Sequence, residues 1–490
     1  MPPDLQTVAE RLMIERGFDL NAPAGIPAQL SALVEHPPVA TTAGADIRDL
    51  RSLPWSSIDN DTTRDLDQLE VAQPAEGGAI TVMIAIADVD AFVPKGSPID
   101  QFAARQTTTV YTGVRIFPML PEALSTGLTS LLEDSDRLAV VVELVVDAEG
   151  RVASSAISRA FVRSVAQLTY RGVGAWLEGR APAPAGIRSS KTLVDQLQLQ
   201  DTASDRLRRA RQRRGALNIQ RVETRAVAGD DGAVTLQAEV PNRATLLIED
   251  FMIASNEAVA KLLEARHRAS IRRVVKEPRR WDRIVALAAA NGGTLPAAPD
   301  SKALNDFLVM QSTRDPVHFP DLSLAIIKLM GAGEYVLERP DDPETWHFGL
   351  AVEDYTHATA PNRRFADLVT QRLLKAALAD RPSPYTDDEL RAIATACTAK
   401  ANDARKVERE VGKHMAAVAM QRRIGEVFDA VVTGVNVHGT FVRVVAPHVE
   451  GLLEHPAPGT DVGDKLRVRL MRTDLERGYV DFAPASVARG

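Results

Sequence analysis

Five carboxylates and one arginine lie within the twelve residues from Asp59 to Glu70. The other acids of this group are Asp61, Asp65 and Asp67. Carboxylates this close repel one another unless a cation neutralises them or water screens them. Convergent carboxylates suit hard, oxygen-preferring ions, above all Mg²⁺, whose shell a substrate phosphate commonly completes. The alternative for such a run is an acidic surface loop.

The spacing of the acids and the residues between them favour a metal site. Asp65 and Asp67 are two residues apart, so their side chains point the same way in an extended segment. Ile58, Leu66 and Leu69 interleave the acids, and buried apolar side chains would tie this loop to a core. We therefore expect a structured acidic loop, although these observations alone leave the surface loop open.

The order of these residues resembles the signature that opens the catalytic domain of the ribonuclease II family, the RNB domain. The matching segments are Ile58-Asp59 and Arg64-Asp65-Leu66-Asp67-Gln68. The resemblance extends from about residue 46 to residue 380 through further separate motifs, at 87–89, 110–113, 117–121, 247–252, 347–350 and 355–368. It implies an enzyme that degrades RNA from its 3′ end.

The resemblance also implies roles for residues of this chain at the reacting phosphate. Asp59, Asp65 and Asp67 match ligands of Mg²⁺, and Arg363 matches an arginine that contacts the scissile phosphate. A planar guanidinium suits two phosphate oxygens at once. The family usually has a fourth aspartate where this chain has Gln68, whose amide oxygen can bind a cation but carries no charge.

Two further residues match positions that contact RNA in the family. Tyr111 matches an aromatic residue that stacks on the 3′-terminal base, and its alternative is a tyrosine of the core. Glu249 matches a carboxylate near the terminal sugar, where an acceptor could read the 2′-hydroxyl group; its alternative is an exposed helix acid. A second stacking aromatic is expected near residues 224–227, where this chain has none.

The chain is predicted to be an α+β protein in three parts. Residues 1–45 form a short helical N-terminal region, read either as part of a helix-turn-helix or as a helical cap. Residues 46–424 form an RNB-type catalytic domain with a mixed sheet and helices. The nearly continuous apolar run 79–89 predicts a central strand of that sheet. Residues 425–490 form a C-terminal five-stranded OB-fold barrel, indicated by five short strand patterns with glycine punctuation.

The predicted barrel resembles a ribosomal-protein-type RNA-binding module. Phe428, His438 and Phe441 match the ring positions that such modules place on their RNA-facing surface, where stacking tolerates any base. The alternative is that the two phenylalanines belong to the barrel core. Two basic clusters, at 206–214 and 272–280, are read either as solvated faces or as contributors to an RNA channel.

Composition agrees with a cytoplasmic protein that binds RNA locally. The chain has 490 residues, a net charge of −7 and one cysteine, which excludes an intramolecular disulfide framework. No basic, apolar leader opens the sequence, and no apolar stretch approaches a membrane span. A local basic channel is compatible with a negative total charge, because the field near a groove depends on nearby charges.

We therefore predict a monomeric, Mg²⁺-dependent exoribonuclease that removes nucleoside 5′-monophosphates from the 3′ end of single-stranded RNA. The rival hypothesis is an RNA-binding protein whose nuclease site is attenuated or inactive, which Gln68 suggests. Asp61 or Glu70 could supply the missing charge, although neither occupies the matching position.

Overall fold

The computed structural model describes residues 4–38, 47–219, 241–316, 318–343 and 345–485, and the backbone of 223–228 and 234–239. Within these ranges the helices are α1 (Leu5–Glu15), α2 (Gly25–Glu35), α3 (Pro98–Gln106), α4 (Tyr170–Leu177), α5 (Ala185–Arg188), α6 (Lys191–Arg214), α7 (Arg243–Ala265), α8 (Trp281–Ala290), α9 (Ser301–Arg314), α10 (Phe319–Met330), α11 (Phe365–Leu378) and α12 (Asp387–Met420). As far as the described residues go, no helix is long and apolar enough to cross a membrane.

The strands of the same ranges belong to the central region and to the C-terminal barrel. Those of the central region are β1 (Ile47–Asp49), β2 (Trp55–Asp59), β3 (Gln68–Pro74), β4 (Ile80–Ala87), β5 (Val110–Tyr111), β6 (Ile116–Phe117), β7 (Asp136–Val146), β8 (Val152–Thr169), β9 (Glu223–Ala228), β10 (Val234–Glu239), β11 (Ser270–Val274), β12 (Glu334–Glu338), β13 (Trp346–His347) and β14 (Val352–Glu353). Those of the barrel are β15 (Val427–Asn436), β16 (Gly439–Val444), β17 (Val449–Leu453), β18 (Lys465–Asp474) and β19 (Tyr479–Pro484).

Six strands form the central sheet in the order β1-β8-β2-β3-β4-β7. β8 pairs parallel with β1 and β2, and the remaining pairs are antiparallel, so the sheet is mixed as predicted. β8 has 18 residues and also pairs with β7, the strand at the far end of this order. The sheet therefore curves, so that its two ends approach each other. β4 lies between β3 and β7 and is almost entirely buried, which confirms the central strand expected from its apolar sequence.

Long amphipathic helices cover this sheet and complete the largest core. Apolar residues of α6, α7 and α11 pack with those of the strands in one cluster. α7 begins at a capping box, in which Asn242 and Thr245 each accept a backbone N–H of the other. This reciprocal cap satisfies two donors that the first turn of a helix otherwise leaves open.

The two N-terminal helices pack on the catalytic region as a helical cap. Leu12 and Met13 of α1 are buried against Val411 and Met415 of α12. α2 contacts α3, and the Gln29 side chain accepts the first free N–H of that helix. The buried apolar residues of both helices are thus packed against neighbouring elements. Residues 39–46, where the sequence predicts the boundary between the first two parts, lie outside the described residues.

The C-terminal strands close into a five-stranded barrel in the order β15-β16-β17-β19-β18, which confirms the predicted OB-type architecture. Ala417 and Met420, at the end of α12, belong to the barrel core. Arg443 of the barrel forms an ion pair with Asp321 of α10. The barrel is therefore anchored to the catalytic region by a shared apolar core and by charge.

The arginine cluster of α6 serves the fold. Arg208 and Arg211 both bind the carboxylate of Asp250, which lies on α7 with 1% of its side chain exposed. Arg206 and Arg213 donate to backbone carbonyl groups of the strand hairpins beneath the helix. These arginines hold α6 against α7 and the sheet, so this cluster is not simply a solvated helix face.

Replacing Asp250 by alanine should leave two buried guanidinium groups without their carboxylate. We expect Asp250→Ala to lower the free energy of unfolding by about 3–5 kcal/mol, measured by urea denaturation. The control is Asp205→Ala on α6, where an i,i+4 pair with the exposed Arg209 should contribute less than about 1 kcal/mol. Equal losses for both variants would contradict this account of the α6–α7 contact.

Candidate active site

The acidic loop leaves the sheet at the end of β2 and returns to it at the start of β3. Leu66 is fully buried, and its N–H donates to Ser130 Oγ at 3.0 Å. Its carbonyl group accepts the N–H of Leu131 at 3.0 Å. The Ser130 hydroxyl in turn donates to the Arg64 carbonyl at 2.8 Å. These contacts fix the loop from inside, as the interleaved apolar residues predicted.

Asp67 is the most buried carboxylate of the segment between β2 and β3, with 1% exposed surface. Its Oδ1 accepts the N–H of Asn362 at 3.2 Å. Its Oδ2 lies 3.3 Å from Nε of Arg363. Burial raises the pKa of Asp67 to about 7, although the nearby guanidinium of Arg363 opposes the rise. The carboxylate is therefore held in place while much of its charge stays uncompensated.

The segment that carries Arg363 ends at the start of α11. The Asn362 amide oxygen accepts the hydroxyl of Thr129 at 2.6 Å, and the Arg363 carbonyl accepts the N–H of Thr109 at 3.0 Å. The Arg363 side chain is 46% exposed. Arg364 instead forms two bonds to Asp367, at 2.9 and 2.7 Å. Arg363 thus lies beside Asp67, and Arg364 fastens the start of α11.

Tyr111 stands at the rim of the site on the short β5–β6 hairpin. Its side chain is 40% exposed, and its hydroxyl donates to Asp65 Oδ2 at 3.2 Å. Its backbone N–H donates to Oε1 of Glu408 on α12 at 3.1 Å. The structure thus brings together Asp65 and Tyr111, and it leaves part of the ring open to a ligand.

Asp59 completes the acidic loop from the end of β2. Its Oδ1 accepts the N–H of Asn60 at 2.7 Å and the hydroxyl of Thr63 at 2.9 Å. Burial raises the pKa of Asp59 above its ordinary value despite these bonds. The pKa of Tyr170 is raised by burial and then by the charges of Asp59 and Glu70.

Tyr170 is a residue of this site that the sequence analysis missed. It directly follows Thr169, which pairs with Asp59 across β2 and β8. No signal in its neighbourhood along the chain connects it with the acidic loop. Only the parallel pairing of β8 with β2 reveals that Tyr170 and the acidic loop are neighbours.

The carboxylates of this region suit a hard cation in their chemistry. Asp67 Oδ2 and both carboxylate oxygens of Glu70 are buried without a hydrogen-bond partner in the structure. Burial, and then the charge of Asp59, raise the pKa of Glu70 well above its ordinary value. In the part of the chain that the structure describes, no group of three or more His, Cys, Asp or Glu converges as a preformed metal site. The fit therefore rests on uncompensated oxygen donors, the type that Mg²⁺ prefers.

The other two predicted site residues of the catalytic region lie on a strand and on a helix. Gln68 is 3% exposed and opens β3, where its backbone pairs with Ile86. Glu249 is exposed on α7, one residue before the buried Asp250. Their roles stay predictions. The expected second aromatic position, near 224–227, lies outside the side chains that the structure describes.

The prediction that Phe428 stacks on RNA bases is wrong. Phe428 is 6% exposed and packs edge-to-face on Phe482 inside the barrel, with ring centroids 6.4 Å apart. Along β15 alternate residues point inward, and Phe428 shares the inward face with Ala430. His438 is exposed in the turn after β15, and Phe441 is half-buried on β16. The roles of these two residues in RNA binding stay predictions.

Comparisons with known proteins agree with this architecture. Ribonuclease R of Vibrio cholerae is 29% identical over 509 aligned positions, which cover 95% of this chain and 60% of the relative. The chain therefore spans about 60% of the length of this curated relative. The structure of Mycoplasma genitalium RNase R in complex with ribose-methylated single-stranded RNA matches with a TM-score of 0.86 at 23% identity, covering 98% of this chain and 78% of that one.

The structure of yeast Ssd1, a pseudonuclease, matches with a TM-score of 0.69 at 16% identity, covering 91% of this chain and 55% of that one. Both structural likenesses show the fold. The model of the RNB domain matches residues 47–380, and the model of the RNase II-type exonuclease C-terminal S1 domain matches residues 426–485. The first match alone covers more than half of the chain, from the acidic loop to the helix after Arg363. The chain therefore belongs to the RNB, or ribonuclease II, family.

Proposed function

We propose that this protein is an exoribonuclease that degrades single-stranded RNA in the 3′ to 5′ direction. It would release nucleoside 5′-monophosphates by attack of water on the terminal phosphodiester. The observation that carries the proposal is the buried carboxylate of Asp67, held between the Asn362 N–H and the Arg363 guanidinium. Membership of the RNB family, whose nucleases are metal-dependent hydrolases, supports it.

The half-exposed guanidinium of Arg363 would bind a phosphate. It would neutralise charge on the non-bridging oxygens as that charge grows in the transition state. The exposed part of the Tyr111 ring would stack on the 3′-terminal base, and its bond to Asp65 would hold the ring at the rim. Glu249 would accept the 2′-hydroxyl group of the terminal nucleotide and so select RNA over DNA.

Mg²⁺ is the cation that the oxygen donors of this site suit best. Asp59, Asp65 and Asp67 would hold it, with Gln68 beside them. A bound divalent cation supplies charge neutralisation at the phosphate and a lower pKa for the attacking water. The bonds to Ser130 would hold the acidic loop in place, and Arg363 would stay beside Asp67.

The C-terminal barrel would guide RNA to this site. Lys465, Arg467 and Arg469 alternate with inward residues along β18 and are exposed. They form a basic stripe that attracts a phosphate backbone. His438 and Phe441 would stack on bases in a sequence-tolerant way. We further propose that the protein acts as a monomer in the cytoplasm, in keeping with its single cysteine, Cys397, which is free and buried.

The rival function is an RNA-binding protein without nuclease activity. It is favoured by the uncharged Gln68 and by the absence of a preformed three-acid site among the described residues. Incubation of 5′-labelled single-stranded RNA with the protein and Mg²⁺ separates the two. A ladder of products shortened from the 3′ end supports the nuclease. Tight RNA binding without any ladder, with Mg²⁺ or with Mn²⁺, supports the rival.

We expect Asp67→Asn to abolish cleavage and to leave RNA affinity nearly unchanged. The buried carboxylate acts on the charge that develops in the transition state, whereas a long strand is gripped elsewhere. The matched control is Asp61→Asn on the same loop, where the carboxylate is exposed and paired with Arg171. Cleavage by Asp67→Asn at the parental rate would show that the site lies elsewhere.

Replacing Arg363 and Arg364 one at a time should separate an effect on the cleavage rate from an effect on the free energy of unfolding. Arg363→Ala should lose most of the cleavage rate and less stability than Arg364→Ala, because the Arg363 side chain is half-exposed and Asp67 keeps the Asn362 N–H. Arg364→Ala should cost about 3 kcal/mol of unfolding free energy, because the fully buried Asp367 loses its partner. Single-turnover rates and urea denaturation measure the two effects. A stable and fully active Arg363→Ala would contradict the phosphate contact.

Gln68→Asp should lower the Mg²⁺ concentration needed for half-maximal cleavage. The carboxylate adds charge to the site, and much of the hold on a cation is electrostatic. The side chains are close in size, so packing should change little. Gln73→Asp, an exposed change on the same strand, serves as the control. An equal or greater need for Mg²⁺ would identify Gln68 as a residue that orients an aspartate through its amide group.

A further inference from the structure

The β5–β6 hairpin at the rim of the site has two faces with different surroundings. Val110 pairs with Phe117, and Tyr111 pairs with Ile116. Residues paired across antiparallel strands lie on the same face, whereas neighbours along one strand lie on opposite faces. Val110 and Phe117 therefore share the inner face of the hairpin, and Tyr111 and Ile116 share its outer face.

The inner face of the hairpin is fixed in a small core of its own. Val110 is fully buried, and Phe117 is 7% exposed. Both belong to an apolar cluster with residues of α1 and α12 that is separate from the main core. The Arg115 guanidinium lies 5.0 Å from the centre of the Phe117 ring and forms an ion pair with Glu10 of α1. The two helices thus hold the outer face in one orientation.

The outer face of the hairpin is apolar and open. Tyr111 is 40% exposed, and Ile116 is 53% exposed. An exposed isoleucine by itself is common on protein surfaces. Ile116 differs because it lies directly across from a half-exposed tyrosine, at a distance of about 5 Å between the Cβ atoms. The two side chains together present one continuous apolar surface.

The location of this surface fits the 3′-terminal base of an RNA. The Tyr111 hydroxyl donates to Asp65 at 3.2 Å. The N–H of Thr109, two residues earlier in the chain, donates to the Arg363 carbonyl at 3.0 Å. Two residues of an extended strand span about 7 Å. A nucleotide whose phosphate lies at Arg363 therefore has its base within reach of the outer face.

We propose that Ile116 is a second contact of the 3′-terminal base and forms a two-residue base-binding surface with Tyr111. The inference rests on the proposed function for the presence of a 3′-terminal nucleotide at this rim. Every base has a π-face that stacks on a ring, and van der Waals contact with an adjacent aliphatic side chain adds to that stacking. Residues 224–227, where a second aromatic residue is expected, hold none in this chain. Ile116 supplies apolar contact area to the base from the other strand of the hairpin.

Binding of two short single-stranded RNAs to the full chain tests the proposal. One RNA is unmodified, and the other ends in an abasic nucleotide, so that it lacks only the 3′-terminal base. Fluorescence anisotropy without divalent cations gives both dissociation constants independently of turnover. Ile116→Ala should weaken binding of the unmodified RNA about fivefold, because an aliphatic side chain that stays partly exposed loses its contact. It should bind the abasic RNA like the parent, because the contacted base is already missing.

Three further variants separate contact with the base from a structural role. Ile116→Leu keeps an aliphatic side chain of equal volume and should bind both RNAs nearly like the parent. Ile14→Ala removes the same atoms from an isoleucine that is 61% exposed on α1, and it should change neither constant. Tyr111→Ala should weaken binding of the unmodified RNA about tenfold and leave little preference for the terminal base. If Ile116→Ala does not fold, Ile116→Thr takes its place, since threonine keeps the β-branched shape that strands favour.

Three results would overturn the proposal in distinguishable ways. If Ile116→Ala binds both RNAs like the parent while Tyr111→Ala loses the preference for the terminal base, Ile116 does not contact the base and the proposed function stands. If Ile116→Ala weakens binding of both RNAs equally, the residue acts on the shape of the hairpin. If the parent itself binds both RNAs equally, the terminal base is not held at this rim, and the stacking role of Tyr111 fails together with the inference. The product ladder from 5′-labelled RNA then decides the nuclease function separately.

Discussion

The contact of Asp67 with Asn362 and Arg363 is the constraint on which the rest of the site depends. It joins segments 295 positions apart in the chain, the acidic loop and the start of α11. A buried carboxylate requires a donor or a cation, so its position also determines where Arg363 must lie. The strand that leads to Tyr111 bonds to the same segment through Thr109. The buried carboxylate of Asp67 thereby aligns the acidic loop, the segment of Arg363 and the strand that leads to Tyr111, which together would face a phosphodiester.

The distribution of buried charge separates the scaffold from the site. In the scaffold, buried acids meet their cations directly, as Asp250 meets Arg208 and Asp367 meets Arg364. At the acidic loop, Asp67 shares a single arginine with its neighbours, and Glu70 has no partner. Burial raises the pKa of both groups. Ionising these buried carboxylates without a counter-charge is costly, and a cation bound beside them would lower that cost.

A single long helix connects the two functional parts of the molecule. α12 has 34 residues, which corresponds to about 50 Å. Its Glu408 holds the backbone of Tyr111, and its last turn enters the core of the barrel. The N-terminal helix α1 packs along the same helix. The rim of the site and the barrel are therefore set relative to each other by one rigid element.

The sequence by itself determined the elements that depend on local pattern and spacing. The acidic signature, the central apolar strand and the glycine-punctuated strands of the barrel could be read directly, because periodicity and spacing act over a few residues. Which face a residue presents is decided by register, and a shift of one position reverses it. For that reason the sequence alone could not decide whether the Phe428 side chain points into the barrel or out of it.

The long-range neighbours were decided only by the tertiary structure. The arginines of α6 could have faced solvent or RNA until α7 brought Asp250 beneath them. Tyr170 joins the site because a parallel strand pair places Thr169 beside Asp59. Glu70 looks like one more acid of the run until burial leaves it unpartnered. In each case the partner comes from a distant part of the chain, and burial turns that proximity into a strong electrostatic interaction.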